Sequence, residues 1–240
     1  MPKFDTTLKS SETVAEGTMA FHFAKPAGFD FKPGQSMNVS LVDPPETDAK
    51  GDRRTFSILS APHENELVIA TRMRDTAFKR VLKGMREGGR VSLRGPAGMF
   101  TLDPADARPA VFLAGGIGVT PFVSMLRDAA QQKPERDLWL FCSNRRPEDA
   151  AFLDELAALP GRHPRIHFVG TMVEMDKSSR PWSGERGFLD RAMLERHLKG
   201  LAGNVYYVAG PPGLVEAMQK MLVAAGVAED AIRTDEFFGY

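Results

Sequence analysis

The segment Gly115-Gly116-Ile117-Gly118-Val119-Thr120-Pro121 gathers more chemistry-bearing features than any other stretch of this chain. It follows the apolar run Phe112-Leu113-Ala114, which reads as a buried strand. Glycines let the backbone approach a ligand where a side chain would clash. A proline in the first helical turn sacrifices only an N–H that has no partner inside the helix. A helix opening here points its free N–H groups and positive dipole end at the turn, an arrangement suited to phosphate. The pattern is Gly-Gly-x-Gly-x-Thr-Pro and not the Gly-x-Gly-x-x-Gly of dehydrogenases. A tight strand–helix junction without a ligand would use the same glycines.

Three further groups carry chemistry. In Arg54-Thr55-Phe56-Ser57, the arginine fork matches phosphate oxygens and the phenylalanine offers an apolar face to a flat ring. Without a ligand the same residues form a hairpin strand, with Arg54 in solvent and Phe56 and Ile58 in a core. Thr71-Arg72-Met73-Arg74-Asp75-Thr76-Ala77-Phe78 ends a strand and opens a helix, where Asp75 or Thr76 is at least an N-cap. Ser143-Asn144-Arg145-Arg146 follows another strand, and either arginine can meet a phosphate or simply sit in a solvated turn. Glu148 and Asp149 read as first-turn acids of the next helix. His22, His63, His163, His167 and His197 lack metal-ligand spacing, Met172, Met175 and Met193 read as core or loop residues, and no metal site is expected. No Gly-x-Ser-x-Gly elbow is present, and Cys142 sits in an apolar strand as a small buried hydrophobe.

The elements that must position these groups fall into two rhythms. Residues 1–104 show short strands at Thr18–Phe23, Met37–Leu41 and Leu67–Thr71, with turns at Pro33-Gly34, Asp43-Pro44-Pro45, Lys50-Gly51-Asp52 and Glu87-Gly88-Gly89. An antiparallel β-barrel or sandwich follows, interrupted by one helix from Thr76 to Met85. Residues 105–240 alternate strands and helices. Strands at Ala110–Ala114, Leu138–Cys142, Ile166–Thr171 and Val205–Ala209 lead to helices at Pro121–Ala130, Pro147–Leu159, Asp190–Leu198 and Pro212–Ala225. A last strand runs near Ile232–Phe238. This is the pattern of a doubly wound α/β parallel sheet. The polar loop Glu174–Gly187 is expected to be mobile, and the boundary is expected near Thr101–Arg108, where Asp-Pro-Ala-Asp-Ala-Arg-Pro breaks both patterns.

Composition narrows the function classes. Lys+Arg and Asp+Glu are equal at 31 each, so no net field recruits nucleic acid or an anionic membrane. One cysteine excludes an internal disulfide and a four-thiolate iron–sulfur cluster in this chain. No apolar run reaches the roughly 20 residues of a spanning helix. No apolar signal region is visible near the start, so a cytoplasmic location is expected.

Taken in order, Arg54-Thr55-Phe56-Ser57, Arg94-Gly95-Pro96-Ala97-Gly98-Met99-Phe100, Gly115–Pro121, Ala209-Gly210-Pro211-Pro212 and Glu236-Phe237-Phe238-Gly239-Tyr240 resemble the ferredoxin–NADP reductase family of two-domain flavoproteins. The resemblance implies FAD in the barrel and NAD(P)H on the α/β domain, with nicotinamide C4 against flavin N5. It assigns the flavin to Arg54, Thr55, Phe56 and Ser57, with Ser57 near N5. It assigns the flavin pyrophosphate to the Thr76 and Ala77 amides, within the segment from Thr71 through Arg72 and Met73, helped by Arg72 or Arg74. An intact helix start there favours FAD over FMN. It assigns the nicotinamide nucleotide to Gly115, Gly116, Gly118 and Thr120, to Ser143, Asn144 and Arg145 at the adenosine ribose, and to Ala209, Gly210 and Pro211. No acid stands at that strand end to claim a free 2′-hydroxyl, which favours NADPH. Phe238 or Tyr240 would cover the flavin, and Glu236 would orient the nicotinamide amide or relay a proton. Ser57, Glu236 and Phe238 are the candidate catalytic residues.

The chain departs from the family at Phe56, often tyrosine, and at Ala209, often cysteine. The implied activity passes electrons from NAD(P)H through FAD to a separate acceptor such as ferredoxin, flavodoxin or a diffusible oxidant. Arg53, Arg72, Arg74, Lys79 and Lys83 could dock an acidic redox partner or be plain solvated surface. Two other readings stay open: an electron-transfer or regulatory subunit of a larger complex, and a free flavin or ferric reductase.

Overall fold

Residues 1–237 are described by a computed structural model, and their strands form two six-stranded sheets. The first comprises β1 (Lys3–Ala15), β2 (Thr18–Ala24), β3 (Ser36–Leu41), β4 (Arg53–Ser57), β5 (Glu66–Arg72) and β6 (Arg90–Ala97), in the order β4-β3-β6-β1-β2-β5. All its pairings are antiparallel. Just past β4 the chain returns to the far edge, where the Leu59 amide donates to the Val68 carbonyl at 2.8 Å and the Val68 amide to Ser60 Oγ at 3.1 Å. The sheet thereby curls into a barrel. Phe21, Phe23, Met37, Val39, Ile69 and Leu93 alternate into its core. Helix α1 (Ala77–Gly84) closes one end by burying Phe78 and Leu82, and Thr76 caps it by accepting from the Lys79 amide.

Two strands of the barrel were invisible in the sequence pattern. β1 has 13 residues but fully buries only Leu8, so no alternation marks it. In β6, Val91, Ser92 and Leu93 are buried consecutively, which masks the period of two.

The second sheet comprises β7 (Ala110–Gly115), β8 (Leu138–Asn144), β9 (Ile166–Met172), β10 (Glu185–Arg186), β11 (Val205–Gly210) and β12 (Ile232–Glu236), in the order β10-β9-β8-β7-β11-β12, all parallel. Helices α2 (Thr120–Gln132) and α3 (Leu153–Ala158) pack Phe122, Leu126 and Leu156 on one face, against Phe112, Leu140 and Tyr207. Helices α4 (Arg191–His197) and α5 (Pro212–Ala224) pack Leu194, Met218 and Leu222 on the other, against Leu113, Phe141 and Tyr206. Central strands covered on both faces read as continuous apolar runs, which is why they were legible.

The helix expected over Pro147–Leu159 is broken. A single 3₁₀ turn spans Pro147–Asp149, Phe152 takes φ +61°, and α-helix begins only at Leu153. Here tertiary ionic contacts override helix propensity, because Glu148 and Asp149 serve distant partners. The Glu148 carboxylate accepts from Ser178 Oγ at 2.9 Å and from the Ser179 amide at 2.8 Å. That contact, with Trp182 donating from Nε1 to the Glu185 carbonyl at 2.8 Å, ties down the loop expected to be mobile.

The two sheets share an apolar seam. Ala20, Leu59, Val68 and Ala70 of the barrel belong to one apolar cluster with α2 and the parallel sheet. β5 is accordingly buried on both faces, Leu67 and Ile69 inward and Val68 and Ala70 toward α2. Ser124 Oγ on α2 donates to the buried Ser60 carbonyl at 2.7 Å.

Candidate functional site

β7 is followed by a helix on one face of its sheet and β11 by a helix on the other, so a crevice opens between their carboxyl ends. The turn at this point differs from the expectation of a helix opened by Pro121. A 3₁₀ turn, Gly116–Val119, begins directly at the strand end and runs into α2 at Thr120. The leading amides are therefore those of Gly116, Ile117 and Gly118, which have no earlier acceptor in the helix. Gly116, at φ +54°, has open space where a Cβ would be. Gly118 does something else. A Cβ on it would lie 2.4 Å from the Ala209 carbonyl oxygen and 2.6 Å from Gly210 Cα. Gly118 permits backbone to lie on backbone. Thr120 Oγ1 donates back to the Ile117 carbonyl at 3.0 Å, fixing the turn.

A cavity of about 630 Å³ lies at this crevice. Gly115, Gly116 and Pro211 form one wall, Ser143, Asn144 and Arg145 the end beyond β8, and Phe188, Leu214 and Met218 an apolar side. Barrel residues Arg72 and Arg74 reach into it. A second cavity, about 400 Å³, lies on the barrel side and is lined by Arg54, Thr55, Phe56, Ser57, Thr71 and Thr76, with Glu236 and Phe237 facing them. Ile117 and Arg72 line both, so the cavities adjoin. The sequence reasoning did not single out Ile117.

Some of the expected contact residues do not line either cavity. Met73 packs on the barrel core and lines neither cavity. Ala209 and Gly210 likewise line neither; Ala209 is fully buried, and a Cβ on Gly210 (φ +152°) would crowd the Gly115 amide at 3.1 Å. Of the two candidate arginines after β8, Arg145 lines the larger cavity, while Arg146 turns away to Glu16 at 2.8 Å and Asp149 at 2.8 Å. Arg72 and Lys79 line the cavities and are half-buried. The Thr76 amide donates to the Arg74 carbonyl at 2.9 Å, and the Ala77 amide to the Asp48 carboxylate. Phe238 and Tyr240 lie outside the described residues.

The electrostatics centre on two groups the sequence did not single out for the site. Asp149, only 5% exposed, accepts from Arg72 at 3.0 Å, from Arg145 at 2.9 Å and from Arg146 at 2.8 Å, and so ties the barrel to the α/β domain. Burial alone would raise its pKa; the Arg146 hydrogen bond and the charges of Arg145, Arg146 and Arg72 outweigh that and hold it low. Lys79 lines the smaller cavity and donates to the Arg72 carbonyl at 2.6 Å. Burial, then the charges of Arg74 and Arg54, push its ammonium down to about 8. A phosphate at that end would bring negative charge to Lys79, Arg74 and Arg54. Phe56 and the hydroxyls of Ser57, Thr71 and Thr120 line the rest, a donor set that fits a flat heterocycle carrying phosphate. Across from them, burial pushes the Asp235 carboxyl up.

Cys142 is closed to chemistry. Burial pushes its thiol up to about 11, against a weaker hydrogen bond from Asn144 Nδ2 at 3.3 Å. A thiol reagent at pH 8 is expected to label no cysteine in the native chain and one per chain after denaturation. Native-state labelling on the mixing time would contradict this placement.

Comparison with known proteins bears on this site. The oxidoreductase NAD-binding domain family matches residues 112–220. The chain is 31% identical over 220 residues to the glycine betaine monooxygenase reductase subunit of Chromohalobacter salexigens, covering 90% of this chain and 58% of that protein. It is 32% identical over 191 residues to ferredoxin–NADP reductase B of Sorangium cellulosum, covering 78% of this chain and 75% of that protein. A crystal structure of a ferredoxin NADP+ reductase from Neisseria gonorrhoeae with bound FAD and NADP superposes with a TM-score of 0.82 at 21% identity, covering 98% of this chain and 99% of that one. The two-sheet fold agrees with that structure, and at these identities and coverages the chain belongs to the ferredoxin–NADP reductase-like family of FAD- and NAD(P)-binding oxidoreductases.

Proposed function

We propose that this chain is an NAD(P)H-dependent flavoprotein reductase that passes electrons through FAD to a separate acceptor, residues 1–104 forming the flavin unit and 105–240 the nicotinamide-nucleotide unit. The observation that carries this reading is the adjoining pair of cavities, which share Ile117 and Arg72 as their common lining. A bound flavin would supply the exchange between two-electron and one-electron chemistry. The chain's own residues then have positioning roles. Phe56 supports a ring face, Ser57 offers a hydroxyl in the smaller cavity, and Arg54 and Lys79 supply cationic charge at its phosphate end. Gly115 and Gly116 let a nucleotide lie close to the β7 backbone, with Arg145 at the far end. Glu236 enters the smaller cavity from β12, where it can orient an amide or hold a proton.

Among the described residues the acid paired with Arg145 is Asp149, itself already held by Arg72 and Arg146, which supports NADPH as the preferred coenzyme. A redox protein or an oxygenase component is the acceptor that the named relatives support, and the single buried cysteine is consistent with a cluster held elsewhere. A cytoplasmic location accords with the described residues, none of whose helices is long and apolar enough to cross a membrane. The test is direct. The purified chain should be yellow or take up FAD, and should oxidise NADPH in preference to NADH with an artificial dye as acceptor. A colourless protein that refuses FAD and leaves both coenzymes untouched defeats the proposal.

Ser57→Ala is expected to retain FAD but to slow its reduction by NADPH about tenfold or more, since a positioned hydroxyl is lost. Stopped-flow absorbance measures this, and reduction at the parent rate removes Ser57 from the reacting geometry.

A further inference from the structure

We propose that Asp48 holds the place of a ligand phosphate between Arg54 and α1, so that carboxylate and phosphate exclude one another and their competition sets the affinity for flavin. The proposal rests on the flavin reading of the smaller cavity. Asp48 lies on the loop joining β3 to β4. Its two carboxylate oxygens receive Arg54 Nη2 at 2.9 and 3.2 Å. The same carboxylate accepts from the Ala77 amide, the first of α1, and from the Lys50 amide at 2.9 Å. Helix α1 has no acidic residue in its own first turn, so Asp48 supplies the negative charge its positive end favours. Arg54 Nη1 is meanwhile held by the carbonyls of Lys50 and Gly51, both at 2.9 Å, and of Arg53 at 2.8 Å. A planar anion bridging a guanidinium fork and a helix-terminal amide is what a phosphate would be in the same seat.

The loop is strapped down a second time. Glu46 accepts from Arg80 on α1 at 2.9 and 2.6 Å. The carboxylate brings one negative charge where a flavin diphosphate brings two, and Lys79 on α1 lines the same cavity with Arg54. The diphosphate therefore has the stronger claim on the seat. It binds only to the fraction of molecules in which Asp48 has swung out, and its apparent affinity falls by that fraction.

Three measurements on the full chain test this: FAD affinity by fluorescence quenching, melting temperature of the flavin-free and FAD-saturated protein, and stabilisation of the flavin-free protein by inorganic pyrophosphate. Asp48→Asn should bind FAD about tenfold more tightly than the parent, as expected when a competing conformation is removed. It should melt lower than the parent without flavin and equal to it when saturated, because Asp48 is displaced in the loaded state. Pyrophosphate should raise its melting temperature more than the parent's. Glu46→Gln, which loosens only the second strap, should shift FAD affinity in the same direction by less. Weaker FAD binding by Asp48→Asn, with a lower melt in the loaded state, would make Asp48 part of the bound site and overturn the proposal. If neither protein takes FAD but pyrophosphate still favours Asp48→Asn, the flavin reading falls and the exclusion between Asp48 and phosphate stands. Equal pyrophosphate responses overturn it regardless of flavin.

Discussion

Asp149→Ala is expected to lower the free energy of unfolding by about 3 kcal/mol, the low end for stripping one partner from a buried ionic cluster. The lower figure applies because Arg145 is 51% exposed and can rehydrate, whereas Arg72 and Arg146 are 21% and 23% exposed and cannot do so fully. Their repulsion falls on the seam, since Arg72 comes from the barrel and the other two from the α/β domain. Urea denaturation with matched slopes measures the loss, and a change below about 1 kcal/mol, the size of an exposed pair, would show the cluster to be solvated. The sign of the pH dependence follows from the depressed carboxyl. A group held below its unfolded value of 3.8 stabilises the fold above that pH and loses the contribution as pH falls through its folded value. The gap between parent and variant should therefore be full at neutral pH and should close only below 3.8.

Gly118→Ala is expected to abolish nicotinamide-nucleotide binding and to cost about 3 kcal/mol, the upper range for forcing atoms into a packed interior. The added methyl would meet the Ala209 carbonyl oxygen and Gly210 Cα, both backbone, so no rotamer change relieves it. Either the 3₁₀ turn lifts, carrying Gly116 and Ile117 of the larger cavity with it, or β11 moves and displaces Pro211 just beyond its end. Gly116→Ala is the comparison for stability only. Without nucleotide its methyl meets open space and bears only the left-handed backbone penalty of about 1–2 kcal/mol. Thermal melts separate the two glycines, calorimetric titration with NADPH reads binding, and a Gly118→Ala protein that binds like the parent would mean the turn is looser than drawn.

The contrast between these glycines shows where the sequence was legible. Spacing marked the turn as a phosphate-approach site but could not separate Gly116, which faces the cavity, from Gly118, which faces β11. That distinction depends on a strand some ninety residues away in the chain. Thr76 as a cap, a strand over Leu67–Thr71 and the alternating strands and helices after Ala110 were readable, because each is decided by neighbours along the chain. Asp149 was read as a helix-start acid for the same reason. Its role is decided instead by Arg72, 77 positions earlier, and that long-range demand also breaks the helix at Phe152. Lys79 resembled surface charge until α1 turned it inward beneath Arg72. β1 remained hidden because a long strand with a single fully buried residue carries almost no periodic signal.

The contact of Val68 and Ala70 with α2 has a consequence for how nucleotides come and go. Jaws that open by swinging apart would have to expose oily surface and break the Ser124–Ser60 bond at every turnover. Exchange must instead proceed past small movable pieces at the rim, so the barrel and the sheet behave as one casting. Hybrids that join either half to a foreign counterpart will work only when that oily joint is transplanted with it.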